Sequence, residues 1–149
     1  MDLNAIYTEL ILEHSRNSHN RKHIDCATCI ERGHNPNCGD DITLELALEN
    51  GRINDVGFTG NGCAISQAST SIMLDLIKGK SVEEAMKLAD IFLGMIKNEI
   101  TDESELELLE DALAFKNISH LPARVKCAVL AWRTLQEAIK NAHNKESGM

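Results

Sequence analysis

The chain has 149 residues, 43% apolar and 26% charged, which suits one aliphatic core in a single domain over 1–149 and argues against a disordered segment. Aromatic residues make up only 3% and the net charge is −8, which excludes a general nucleic-acid binder working by base stacking or phosphate contact. The opening Met1-Asp2-Leu3-Asn4 has no basic or apolar leader, and no apolar run nears the roughly 18 residues of a membrane span, so a reducing, cytoplasmic location is expected.

In chain order, Ile6, Leu10 and Ile11 among polar neighbours predict a short amphipathic helix over 4–16. Residues 17–32 show no period and read as a polar loop leading into a weak strand. Ile42, Leu44, Leu46 and Leu48 then alternate with Thr43, Glu45, Ala47 and Glu49, the period of a strand buried on one face. Asn50-Gly51 signals a type I′ turn into a return strand over 53–58. A helix is expected over 64–77, closed by Gly79, and Ser81 with Glu84 forms a capping box for the next one. That helix should bury Val82, Ala85, Met86, Ala89, Leu93 and Ile96. The acidic stretch 99–114 carries Leu106, Leu109 and Leu113 on a short helix with a solvated face. A last helix starts near Pro122 and buries Val125, Val129, Trp132, Leu135 and Ile139. Residues 142–149 are expected to fray. A helix, three strands and then helices predict an α+β fold, a three-stranded antiparallel sheet with helices packed on one face.

Five cysteines in a reducing compartment point to metal or sulfur chemistry rather than a disulfide framework. Cys38 lies in a polar, turn-rich loop, Asn35-Pro-Asn-Cys-Gly-Asp40, where a glycine lets one sulfur and one carboxylate aim at the same ion. Cys63 follows Gly60-Asn61-Gly62 at a helix N-terminus, where the macrodipole favours thiolate. Cys127 stands early in the last helix beside Arg124 and Lys126, which are expected to push it the same way. Set between Val125 and Val129, it is equally open to core packing and to ligation. If they meet, Cys38, Asp40, Cys63 and Cys127 make a tetrahedral set for zinc or an iron–sulfur centre.

Asn35-Pro-Asn-Cys-Gly-Asp40, Gly60-Asn-Gly-Cys-Ala-Ile-Ser-Gln-Ala-Ser69 and Leu121-Pro-Ala-Arg-Val-Lys-Cys-Ala-Val-Leu-Ala-Trp132 resemble, in order, the three cysteine motifs of the IscU/NifU-type iron–sulfur assembly family. The long stretch between Cys63 and Cys127, and Lys126 where IscU proteins carry histidine, resemble its SufU branch. The resemblance implies an IscU/SufU-like fold and a Zn2+ ion held by Cys38, Asp40, Cys63 and Cys127. It also implies a sulfurtransferase that accepts persulfide sulfur on Cys38 from a SufS-like cysteine desulfurase and passes it to a SufBCD-like scaffold. The IscU alternative builds a transient [2Fe–2S] cluster on the same residues.

Cys26-Ala-Thr-Cys29 departs from that pattern. It is open to a zinc knuckle, a redox pair or a sulfur relay, and an exposed, non-essential pair is expected because the four-ligand set is already complete. His14, His19, His23 and His34 are expected to be solvated, and His120 to cap or face solvent. Two other classes compete: a structural zinc interaction domain, and a thiol oxidoreductase using Cys26 and Cys29. The first is disfavoured by ligands spread over separate elements, the second by the polar loop around the pair. A zinc hydrolase would need an open coordination position that four protein ligands do not leave.

Overall fold

The computed structural model describes residues 3–36 and 39–147, with the side chains of 5–36 and 39–143. Helix α1 spans Leu3–Arg16, followed by strands β1 (Cys29–Asn35), β2 (Asp40–Glu49) and β3 (Arg52–Asn61). Helices α2 (Ala64–Ile77), α3 (Val82–Ile96) and the single-turn α4 (Glu103–Leu106) come next, then a 3₁₀ segment over Glu107–Ile118 and the long α5 (Pro122–Ser147). The backbone of α5 stays helical into the stretch expected to fray.

The sheet is an antiparallel meander in the order β1-β2-β3. Asn50 and Gly51 both take positive φ, 53° and 76°, as the predicted I′ turn requires. Ile42, Leu44 and Leu46 point to one face, where Leu44 opposes Phe58 and Leu46 opposes Val56, all fully buried. α5 covers this face over β1 and β2 and α2 packs by β3, while α1 and α3 stack outside them on α2 and α5. Trp132 of α5 lies flat on Phe92 of α3, ring centroids 4.1 Å apart and planes 8° from parallel. These helices and the sheet's inner face share one continuous apolar cluster.

The opposite sheet face is crossed by residues 20–28. Asn20 O accepts from Phe58 N at 2.9 Å, and the buried Glu45 accepts from Ile24 N at 3.3 Å and pairs with His23 Nδ1 at 2.5 Å. The expected loop is therefore a strap that closes over a buried carboxylate.

Helix α3 buries more than the predicted stripe. Leu88, Ile91, Phe92 and Met95 are inside, and Val82, Met86 and Leu93 are half-buried. The helix is sandwiched between α5 and the 3₁₀ segment, so two of its faces need apolar cover. The acidic stretch forms α4 and a 3₁₀ segment interrupted at Glu110, whose φ is 49° and ψ −122°. Leu106 and Leu109 are buried beneath its exposed carboxylates.

Gly60, next to the candidate site, takes φ +115°, and a Cβ there would stand 2.1 Å from Asp41 O. Gly60→Ala is therefore expected to destabilise the protein by at least about 2 kcal/mol, read from urea unfolding. An unchanged midpoint would show that the strand tolerates another path here.

Candidate metal centre

Three elements bring their ends together on one side of the molecule. Asp40 opens β2, held in register opposite Asn35 of β1, and is wholly buried. Its Oδ1 accepts from Cys63 N at 2.9 Å, which fastens the Gly60–Cys63 turn to the start of β2. Cys63 is the N-cap of α2, with φ −69° and ψ 168°, and its Sγ accepts from Ser66 N at 3.4 Å. A cap residue extended in this way aims its side chain off the helix end, where the partial positive charge of the first turn favours an anion. Cys127 sits in the second turn of α5 with 8% of its surface exposed. Cys63 is exposed, so solvent and partners reach the site from its side.

One ligand atom each from Asp40, Cys63 and Cys127 lie within 4.8 Å of one another, and they form the one group of three such side chains among the described residues. Tetrahedral zinc with Zn–S bonds of about 2.3 Å puts its donor atoms about 3.8 Å apart, close to this spacing. Two thiols and a carboxylate so near each other fit a single thiophilic cation. Cys38, the fourth residue of the expected set and the expected sulfur acceptor, lies outside the described residues.

The electrostatics of Cys127 differ from the expectation. Burial first, then hydrogen bonding to Cys63 and Asp40 and their negative charges, push its thiol well above the ordinary value. Arg124 and Lys126 are exposed and do not offset this. A bound cation inverts the balance, because the crowding that raises the thiol's proton affinity becomes attraction to the ion. Asp41 is drawn away from the site. Arg32 grips it at 2.8 and 2.6 Å and, through that hydrogen bond, holds its carboxyl below the usual range.

The extra cysteines do not join the site. Cys26 is exposed as expected, but Cys29 is buried at the start of β1 and donates to Ala138 O of α5 at 3.1 Å. Ala138 is about 16 Å along α5 from Cys127 at 1.5 Å rise per residue. The expectation of an exposed pair fails for Cys29 because the first residue of β1 faces α5.

His19 and His23 are exposed as expected and His14 is half-buried, and each makes a side-chain hydrogen bond that ties the N-terminal segment down. His14 Nδ1 meets Ser71 Oγ at 2.8 Å, His19 Nε2 meets Asp75 Oδ1 at 2.7 Å, and His23 bonds Glu45. His34 and His120 are exposed.

Sequence reasoning missed the side chains that hold the ligand-bearing elements. Arg21 lies over Phe58, 5.2 Å from the ring centroid, and donates to Gly60 O at 2.9 Å. Ser69 of α2 donates to Ala128 O of α5 at 2.6 Å and accepts from Trp132 Nε1 at 3.0 Å. That buried bridge joins the two helices that carry Cys63 and Cys127. A tryptophan in a core stripe, whose N–H needs a partner, was the available signal.

Residues 6–148 match the family model described as the NifU-like N terminal domain. The chain belongs to this family. Within the NifU-like family it is 44% identical to the iron–sulfur cluster assembly scaffold protein IscU of Thermotoga maritima, over 94% of this chain and 96% of that protein. It is 36% identical to the zinc-dependent sulfurtransferase SufU of Bacillus subtilis, over 93% of this chain and 92% of that protein. The crystal structure of FiSufU from Fervidobacterium islandicum AW-1 superposes with a TM-score of 0.83 at 36% identity, covering 92% of this chain and 98% of that one. The NifU-like fold, a three-stranded antiparallel sheet with helices, is thus shared. Among the described residues no helix is long and apolar enough to cross a membrane.

Proposed function

We propose that this chain serves iron–sulfur cluster assembly as a zinc-dependent sulfurtransferase. In this reading Cys38, Asp40, Cys63 and Cys127 hold one Zn2+ ion. Cys38 accepts persulfide sulfur from a SufS-like cysteine desulfurase and hands it to a SufBCD-like scaffold, all in the cytoplasm. The observation that carries the reading is the convergence of Asp40, Cys63 and Cys127 donor atoms within 4.8 Å. Cys38 joins them on the family motif and on its two-residue separation from Asp40.

Zinc, when bound, keeps its thiolate ligands deprotonated at neutral pH and quiet until one is released. The transfer itself is thiol chemistry. The Cys38 thiolate attacks the outer sulfur of the desulfurase persulfide and forms a new S–S bond. The partner's S–S bond breaks, and its electron pair leaves on the partner's thiolate, so no outside oxidant or reductant is needed. Asp40, fastened by Cys63 N, and the buried Cys127 are the ligands that would keep hold of the ion during the transfer.

A second reading, favoured by the scaffold name of the Thermotoga maritima relative, has the same residues carry a transient [2Fe–2S] cluster. Metal analysis after aerobic purification separates the two. A colourless protein with nearly one zinc per chain supports sulfur transfer, and a brown protein absorbing in the visible supports the scaffold. Cys38→Ala is expected to abolish stimulation of the desulfurase, while Cys26→Ala leaves it intact. Full stimulation by Cys38→Ala would remove the acceptor role.

A further inference from the structure

Two buried polar atoms among the described residues have no hydrogen-bond partner, Ser66 Oγ and Gln67 Oε1, and both belong to the first turns of α2 beside the donor set. Buried hydroxyls in helices find a partner on another element, as Ser69 Oγ does on Ala128 O, or turn back to the carbonyl one turn earlier. Thr70 Oγ1 does so to Ser66 O at 2.8 Å, and Thr134 Oγ1 to Leu130 O at 2.7 Å. For Ser66 the carbonyls one turn earlier are Gly62 O, which accepts from Gln67 Nε2 at 3.1 Å, and Cys63 O, which accepts from Gln67 N at 3.0 Å, and Ser66 Oγ donates to neither. Ser66, 1% exposed, is left with a donor that bonds to nothing. Such a donor is destabilising, and its presence calls for a use outside the ion-free fold.

The surroundings indicate the use. The point where a Cβ of Gly62 would lie is 2.9 Å from Asp40 Oδ1 and 3.2 Å from Ser66 Oγ. Hydroxyl and carboxylate therefore border the same small space, which a glycine leaves clear. Gln67 Oε1 is an acceptor and has nothing to offer an anionic donor set, whereas the Ser66 O–H has the right polarity.

Resting on the zinc reading above, we infer that Ser66 is a positioning residue for the metal centre, its hydroxyl donating to the Asp40 carboxylate once the ion is bound. It orients the hardest and least tightly held ligand of the set, as outer hydrogen bonds do for metal-bound carboxylates.

The test measures two properties of the full-length Ser66→Ala variant. Its zinc dissociation constant, from competition with a chromophoric chelator, is expected to rise roughly 10–100-fold. Its ion-free unfolding midpoint is expected to be no lower than wild type, because the hydroxyl removed bonds to nothing there. Ser69→Ala is the contrast and should lower the ion-free midpoint, since Trp132 Nε1 and Ala128 O lose their partner. Zinc affinity of Ser66→Ala within about twofold of wild type overturns the inference, since outer-shell partners act well beyond that. So does an affinity loss accompanied by a lowered ion-free midpoint, which would mark an ordinary structural role. Wild-type protein that holds no zinc overturns the metal reading itself, whereas wild-type zinc retained equally by Ser66→Ala overturns this inference alone.

Discussion

Cys127→Ala is expected to weaken zinc binding by roughly a thousand-fold or more, well beyond the 10–100-fold typical of an outer-shell partner, because it removes a ligand outright. The ion-free fold is expected to lose only about 1 kcal/mol, the order of one hydrogen bond, since the protonated thiol removed is small and is bonded to Cys63 and Asp40. A pH signature goes with it. In the ion-free protein the Cys127 thiol keeps its proton above pH 9, where an unfolded cysteine gives it up. The folded state then binds more protons than the unfolded one, so stability is full below about pH 9 and falls as pH rises further. Cys127→Ala should flatten that alkaline decline. Zinc uptake must expel the same proton, so wild-type affinity should rise across neutral pH by about tenfold per unit for each proton displaced. Chelator competition at several pH values, with proton release measured in parallel, checks both. Undiminished zinc binding by the variant would break the donor set.

The largest loss of stability is expected from Trp132→Ala, about 3–5 kcal/mol. That is a large fraction of the 5–15 kcal/mol on which a domain of this size stands. The substitution removes the stack on Phe92 and the Nε1 bond to Ser69, and leaves a cavity where α5 meets α3 and α2. Zinc affinity should fall with it, because α2 and α5 carry Cys63 and Cys127 and the bridge between them is lost. Trp132→Phe keeps the stack and gives up only the hydrogen bond, so it should recover most of the stability. Urea unfolding of the two variants measures the difference, and a loss below about 1 kcal/mol for Trp132→Ala would contradict the packing described.

Features governed by near neighbours in the chain were legible beforehand. The Asn50-Gly51 turn follows from two residues that tolerate positive φ, and the inward set Ile42, Leu44 and Leu46 from strict alternation. The Ser81 cap is present, its hydroxyl accepting from Glu84 N at 3.1 Å. The start of α5 at Pro122 matches a residue suited to a first helical turn. Features set by distant partners were not legible. Cys29 looked like half of an exposed pair and is a core residue because α5 lies over β1. His19 and His23 are solvated as they looked, but their partners on α2 and β2, and that of the half-buried His14, were not visible in the chain. Glu110 has no local reason to break its helix, and the kink appears only where that segment packs between α2 and α3.

For the site itself, the residue types, their loop and helix-end settings and the family motif were all in the linear chain. Whether Cys127 packs in the core or ligates was open there, since its valine neighbours suit either. Tertiary structure brings its sulfur within 4.8 Å of donor atoms of Asp40 and Cys63, by crossing α2 and α5 over the sheet and pinning them through Ser69 and Trp132. It also reversed the proton affinity expected for that thiol, because burial and opposed anionic groups act through space and outweigh two cations that are near only in sequence.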